Sequence, residues 1–290
     1  MTLRRDPAAL RWLIGVELAN FRKQAAIRPL DVCTATEISK PKLSHMENGR
    51  YQQNPADIGR ILRFYGIADP DIDRLTGLAD DREATSAPAW WQPWASVLPN
   101  WFTTFLGLEG MADGEFSFEP LAIPGPLQTR EYATAFVTAT GLVRPDHVER
   151  FVSCRVARAV RLTDEPPLRL HAIIGEAALR LRVGAPDENG ADGVLARQYQ
   201  HLLDLADRPN VTIQVLRPED GPHPASTGQF VVFDFAAAQS VGYVEHLDGA
   251  TYLHDHDELR TYELARTTLR ERALSPNRSA ELIEDLLGRA

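Results

Sequence analysis

Residues 30–66 read LDVCTATEISKPKLSHMENGRYQQNPADIGRILRFYG, and short apolar periods broken by turn signals in this stretch decide how the first part of the chain is built. Leu30 to Ala35 make a short helix behind Pro29, whose fixed φ suits a first helical turn. Ser39 stands where a side-chain oxygen caps a new helix, which runs to about Asn48 and ends at Gly49. Pro41 would break a helix interior, but two residues past the cap its missing N–H is one of the amides that has no intrahelical partner, so it fixes the helix start. After the loop RYQQNP, a helix from about Ala56 to Tyr65 places Ile58, Ile61, Leu62 and Tyr65 on one face and closes at Gly66.

Upstream, Leu10, Leu13, Ile14, Leu18, Phe21 and Ala25 fall at helical spacing and predict a helix over Ala8–Ala26, with Arg22 and Lys23 at the end where the helix dipole favours cations. Downstream, Pro70 to Ala79 predicts a fifth helix. Two short helices joined by a tight turn inside such a bundle form a helix-turn-helix. The second helix of that arrangement enters the major groove of DNA while the first crosses the phosphate backbone. On the third helix, Leu43, Met46 and Glu47 point toward the bundle, and Lys40, Lys42, Ser44 and His45 point outward. Lys40 and Lys42 are able to donate to guanine O6 and N7 or to phosphates; Ser44 and His45 donate or accept. The competing reading is a bundle that only mediates protein contact.

A net charge of −9 looks wrong for a nucleic-acid binder until it is divided along the chain. Residues 1–66 hold 3 Lys and 8 Arg against 6 acidic side chains, or +5, which leaves −14 for residues 67–290. A basic head on an acidic body permits local phosphate contact and disfavours binding over the whole surface. At 290 residues the chain suits about two domains. The polar run DDREATSAP at residues 80–88 marks the junction, giving residues 1–80 as the helical head and 81–290 as a larger domain.

Beyond the junction, Trp90, Trp91, Trp94, Trp101, Phe102 and Phe105 crowd into one aromatic belt, which either lines an effector pocket or packs the junction between domains. Strands are expected at Phe116–Ile123, Leu168–Ile174, Val211–Leu216, Gln229–Phe235 and Ser240–His246. Helices are expected at Gln128–Thr140, Pro145–Leu162, Gly193–Ala206, Asp257–Leu274 and Ser279–Leu287. The fold class is therefore an all-α helix-turn-helix bundle of about five helices followed by an α+β domain with a mainly antiparallel sheet, the last three strands forming an antiparallel set. No internal repeat supports a solenoid.

Chemistry-bearing residues in the second domain are scattered. His246, Asp248, His254, Asp255, His256 and Asp257 combine imidazoles and carboxylates, but their spacing suits a helix cap and turn better than a metal site. Glu176 and Glu245 lie in apolar runs; they are a general acid and base if the fold joins them, or a helix start and a partner of Arg155 or Arg158 if it does not. The loop GPHPAS around His223 has no nucleophile motif, and no glycine loop cradles a phosphate. No catalytic residue, metal ligand or cofactor is assigned, and the expectation is a protein that is not an enzyme. Cys33 and Cys154 are far apart and read as reduced. With no span of about 20 apolar residues and no secretory signal in MTLRRDPAALRW, the expectation is a cytoplasmic protein without membrane contact.

The stretch quoted first resembles the XRE, or phage-repressor-like, helix-turn-helix family in its pattern of capped serine, L-S-x-M-E-x-G, proline and L…YG helix. That resemblance implies base contacts from Lys40, Pro41, Lys42 and His45, backbone contacts near Ser44, Asn48 and Arg50, and a structural ion pair between Arg22 and Glu47; Ser39, the helix cap, is counted with the DNA-binding residues. The chain departs from the pattern at Pro29, where a polar cap is common, and at Glu37, where a turn glycine is common. EGMADGEFSFEPLAIPGPLQTREYA (residues 109–133) resembles the domain that follows in actinomycete-type bacterial regulators and has no established activity; Gly125-Pro126 replaces the usual Gly-Leu. HAIIGEAALRLRVG, VTIQVLR, GQFVVFDF, GYVEHLDGATYL and ALSPNRSAELIEDL continue the likeness to the end of the chain. It implies a regulator with a small partner protein in an antitoxin-like arrangement.

One helix-turn-helix buries little surface, so two units spaced by one DNA turn, about 34 Å, are expected: a homodimer on an inverted-repeat operator in double-stranded DNA. Three function classes stand: a DNA-binding regulator gated by a small molecule or protein, an antitoxin-like module that neutralises a small partner, and an enzyme fused to a DNA-binding head.

Overall fold

The apolar periods of the head become five helices in the computed structural model of the chain, which describes residues 6–81, 88–184 and 193–290. They are α1 (Pro7–Gln24), α2 (Pro29–Thr36), α3 (Lys40–Glu47), α4 (Pro55–Phe64) and α5 (Asp69–Asp80). Each has proline in its first turn or a side-chain cap: Asp6 accepts from the amides of Ala8 and Ala9 at 2.9 Å, and Asn54 caps α4. Leu10, Ile14, Leu18, Val32, Leu43, Ile58, Leu62 and Leu75 form the head's core. Most of the expected junction, residues 82–87, lies outside the described residues.

The second part is a six-stranded mixed sheet of β1 (Gly114–Glu119), β2 (Arg169–Gly175), β3 (Val211–Leu216), β4 (Phe230–Asp234), β5 (Val241–His246) and β6 (Gly249–Leu253), in the order β3-β2-β1-β4-β5-β6. β1, β2 and β3 run parallel; the β1–β4, β4–β5 and β5–β6 pairs are antiparallel. Antiparallel pairs prevail, yet the expected grouping of the last three strands is corrected: Val211–Leu216 sits at the far edge beside β2, and the antiparallel set is β4, β5 and β6. Parallel neighbours need long crossovers, and helices supply them. α7 (Arg130–Thr140) and α8 (Val148–Arg158) join β1 to β2; α9 (Glu176–Arg180) and α10 (Gly193–Ala206) join β2 to β3.

Two further elements were not expected from the sequence. The aromatic belt contains a full helix, α6 (Asn100–Met111), and β6 extends the expected five strands to six. α11 (His256–Arg272) covers one face of the sheet through Ala265 and Leu269 against Phe116, Phe118, Ile173 and Val232. The other face carries the main core, where α6, α7, α10 and α12 (Pro276–Leu287) meet Leu170, Ala172, Ile213, Val231 and Phe233. Strand alternation sends consecutive residues of β1 to these two faces.

α1 belongs to both halves. Its Leu10, Ile14 and Leu18 enter the head's core, while Ala9 and Leu13 enter the core of the second part, with Trp12 packed edge-on against Tyr252 and His254 at 5.5 and 5.7 Å. Polar contacts follow the same seam. Arg74 pairs with Glu17 at 2.6 Å and donates to the Ala237 carbonyl at 2.8 Å; Asn20 donates to the His254 carbonyl at 2.6 Å. On the head side α1 lies so close to α3 that a Cβ at Gly15 would sit 2.6 Å from the Met46 and Glu47 carbonyl oxygens.

Gly15→Ala therefore forces α1 and α3 apart and should cost about 1–3 kcal/mol in urea unfolding of the full chain. The same exchange at Gly77, exposed in α5 with nothing within 4 Å of its Cβ position, should raise stability by about 0.5–1 kcal/mol. Equal effects at the two sites would refute the close crossing.

Candidate functional site

The turn between α2 and α3 is set by Glu37, which adopts the left-handed conformation at φ 56° and ψ 19°. This is the geometry that a glycine takes without Cβ strain, so the departure at this position changes the residue and keeps the turn. Ser39 Oγ accepts from the Lys42 amide at 3.4 Å, and Lys40 and Pro41 occupy the first turn of α3. Lys40, Pro41, Lys42 and Ser44 are exposed and His45 is half-buried, whereas Leu43 and Met46 are buried.

The inner side of α3 is fixed by charge as well as packing. Arg22 donates from Nε and Nη2 to Glu47 Oε1 and Oε2 at 2.6 and 2.8 Å. Gln53 bridges the carbonyls of Met46 and Arg11. Lys42 Nζ lies 2.6 Å from Asp57 Oδ2, a carboxylate on α4 that is 7% exposed, and Arg60 also pairs with Asp57. Beyond α3, the Asn48 amide group donates to the Ser44 carbonyl at 2.6 Å, His45 meets Tyr51 edge-on, and Arg50 is exposed. Ser39, Lys40, Pro41, Lys42, Ser44, Asn48 and Arg50 are thus all exposed on α3 or next to it, with His45 half-buried among them.

A second site lies in the other half. A cavity of about 640 Å³ opens between the sheet and helices α6, α7 and α8. Its apolar wall includes Trp101, Phe102, Phe105, Phe136 and Phe151. Its floor is polar: Glu115, Ser117 and Glu119 alternate along β1 on one face, and the strand register continues the row of Glu119 through Gln229 to Glu245 on β5. Burial, then the nearby Glu109, hold the Glu115 carboxyl above its ordinary range; burial, then Glu245, push Glu119 up to about 8.

The arginines of this site are unequally committed. Arg158 donates three hydrogen bonds of 2.7–2.9 Å to Glu109 and lies over the Phe105 ring at 4.9 Å. A Cβ at Gly125 would fall 2.2 Å from Arg158 Nη1, so glycine in the IPGPLQT turn makes room for the guanidinium. Arg155 donates to the neutral Gln128 at 3.3 Å, and burial, then Arg158, push its pKa down.

The aromatic belt divides. Trp101 lines the cavity, but Trp90, Trp91 and Trp94 do not, which corrects the grouping of all four as one pocket wall. Trp90 donates to the Leu106 carbonyl at 2.9 Å and Trp91 to Asp6 at 2.6 Å, so their indoles pack the junction instead. Glu176 begins α9 and pairs with Arg180, away from the cavity that holds Glu245, so the two do not form an acid–base pair. Glu245 accepts from the Tyr243 hydroxyl at 2.9 Å. In the histidine-rich segment, Asp255 caps α11 and pairs with Lys23 at 3.1 Å, and His246 meets Thr251. Among the described residues no group of three or more His, Cys, Asp or Glu is placed to hold a metal ion, and no helix is long and apolar enough to cross a membrane. Glu115, Ser117, Glu119 and Glu109 escaped the sequence reading. The signal was present in GEFSFE, where polar and aromatic residues alternate along an expected strand.

The Glu119 shift fixes a pH dependence. The folded carboxyl keeps its proton up to about 8, whereas an unfolded one releases it near ~4.3. Between these values the folded state binds more protons, so this group's contribution to stability is lost as pH rises. The groups that act on it are Glu245 on β5 and Arg155 and Arg158 on α8. Glu119→Gln should flatten the fall in melting temperature between pH 6 and pH 9; an unchanged slope would remove Glu119 as its source.

A family model described as "Helix-turn-helix domain" matches residues 13–75, and one described as "Domain of unknown function (DUF5753)" matches residues 102–285. No curated protein and no solved structure matches the chain at a significant level. The two matches agree with the likeness carried by KPKLSHMENGR in the head and by EGMADGEFSFEPLAIPGPLQTREYA in the body. Since the second match spans well over half of the sequence, the chain belongs to the DUF5753 family and carries a helix-turn-helix domain ahead of the domain that defines it.

Proposed function

We propose that the protein is a sequence-specific transcriptional regulator that reads double-stranded DNA with α3 and senses a small molecule with its larger domain. The observation that carries this reading is the exposed first turn of α3, polar outward and locked inward by Leu43, Met46 and the Arg22–Glu47 pair. A helix presented in this way fits the major groove, where its N-terminal residues meet base edges. Lys40, Pro41, Lys42 and His45 then contact bases, and Ser39, Ser44, Asn48 and Arg50 contact the phosphates that fix register. The protein acts as a homodimer on an inverted repeat, in the cytoplasm, and catalyses no reaction.

The sensing role rests on the cavity and on what its wall touches. Phe102 and Phe105 belong to α6, α6 packs on α1, and α1 packs on α3. A ligand that prefers one placement of α6 shifts the population of head orientations by its differential affinity for them.

Selection of an operator from random duplexes, followed by a salt series with wild type and a Lys40→Ala, Lys42→Ala variant, tests the reading head. Wild type should bind with a steep salt dependence. The variant, folded by circular dichroism, should lose tenfold or more in affinity for the selected operator and most of its preference for that operator over random duplex. Equal, weak binding by both proteins would sink the proposal.

A further inference from the structure

The cavity in the sheet domain selects its ligand by charge, and this inference rests on the sensing role proposed above. We propose that it binds a small organic cation, a protonated amine carried on an aromatic or aliphatic body.

The first observation is the balance of charge. Glu115, Glu119 and Glu245 line the cavity together with Arg144, Arg155 and Arg158. Arg158 is committed to Glu109 through three hydrogen bonds, and Arg144 pairs with Asp146 at 2.9 Å. Arg155 is left as the one guanidinium among these without a carboxylate hydrogen bond, against three carboxyl groups. In the empty cavity burial and the neighbouring carboxylates hold Glu115 and Glu119 toward their protonated forms; an ammonium offsets the charge they take on when they ionise, whereas an anionic ligand opposes it.

The second observation is an orphaned acceptor. Glu115 is 2% exposed, on the central β1 strand, and its Oε2 is buried with no hydrogen-bond partner. Buried acceptors are almost always satisfied, so this oxygen calls for a donor. Once Glu115 is ionised, a carboxylate ligand offers this oxygen no donor, whereas an ammonium brings up to three.

Geometry supplies the seat. Carried on past Phe118↔Phe230 and Val231↔Tyr243, the strand register sets Glu119 and Glu245 in one row with Gln229 between them, about 10 Å apart at Cα by ordinary strand spacing. Both project from the same face of the sheet, so a cation above Gln229 is flanked by carboxyl groups. The aromatic rings of Trp101, Phe102, Phe105, Phe136 and Phe151 enclose the rest. Arg158 already lies over the Phe102 and Phe105 rings and Arg155 over Phe151, so the aromatic wall takes up the apolar body of the ligand and the carboxyl groups take its charge.

The experiment uses the full-length protein and three probes of one shape: 2-phenylethylamine, 2-phenylethanol and 3-phenylpropionate. Binding is read by calorimetry and by the fluorescence change of Trp101, assigned with a Trp101→Phe control. The amine should bind at least about tenfold more tightly than either analogue. Glu119→Gln and Glu245→Gln should each weaken the amine by about tenfold and leave the alcohol unchanged. Tighter binding of the carboxylate, no binding of the amine, or amine affinity indifferent to both substitutions overturns the proposal. Operator affinity measured with each probe separates the two readings. An amine that binds without moving operator affinity upholds the ligand class and removes the sensing role. A carboxylate that binds and moves it upholds the sensing role and removes the ligand class.

Discussion

The burial of α1 on two sides is the constraint on which the rest of the molecule depends. A helix on the rim of one core needs a single apolar stripe, but α1 offers Leu10, Ile14 and Leu18 to the head and Ala9 and Leu13 to the sheet domain. Domains joined by a linker move against each other by default unless their interface is large and apolar. Here the seam is a shared helix, edged by Arg74–Ala237, Asn20–His254 and Lys23–Asp255 contacts. The orientation of α3 is thereby referred to the sheet through one rigid element, with Gly15 as the point of closest approach.

Much of the head was legible because its helices are short, capped and amphipathic. Ser39, Pro41 and the Leu43–Met46 pair fix α3 from sequence alone, and Glu37 adopts the turn that its usual glycine would. α6 was not legible, because NWFTTFLGLEGM is apolar around most of its circumference and lies between α1 and the sheet, so no single stripe stands out. β6 was missed for the opposite reason: Gly249–Leu253 is half-buried with no clean alternation. The place of β3 depends on a helical crossover, and spacing along the chain holds no information about which edge such a crossover reaches. The tryptophans misled because an aromatic cluster in sequence says nothing about which indole N–H finds a distant acceptor, as Trp91 does at Asp6.

The sheet domain concentrates its polar groups where packing alone would reject them. Glu115, Ser117 and Glu119 occupy the central strand on the face that carries the main core, and Arg158 is buried beside Glu109 against Phe105. Removing one member of such a buried pair costs about 3–5 kcal/mol, while the intact pair adds little net stability over an apolar substitute. A core that tolerates this arrangement has traded uniform packing for a chemically specific interior, and sites where local rules fail in this way are where function resides.

The Lys42–Asp57 pair has a consequence for how the head searches DNA on the proposed reading. Asp57 stands in for a phosphate: it is anionic, 2.6 Å from the ammonium, and held in place by Arg60 and by its own burial. Any duplex must compete with this resident anion before Lys42 is released. Random sequence offers only backbone charge and gains little from the exchange, whereas a cognate site offers base-edge acceptors as well. On that reading the intramolecular pair would act as a threshold, raising the ratio of specific to non-specific occupancy without a single additional contact to the operator.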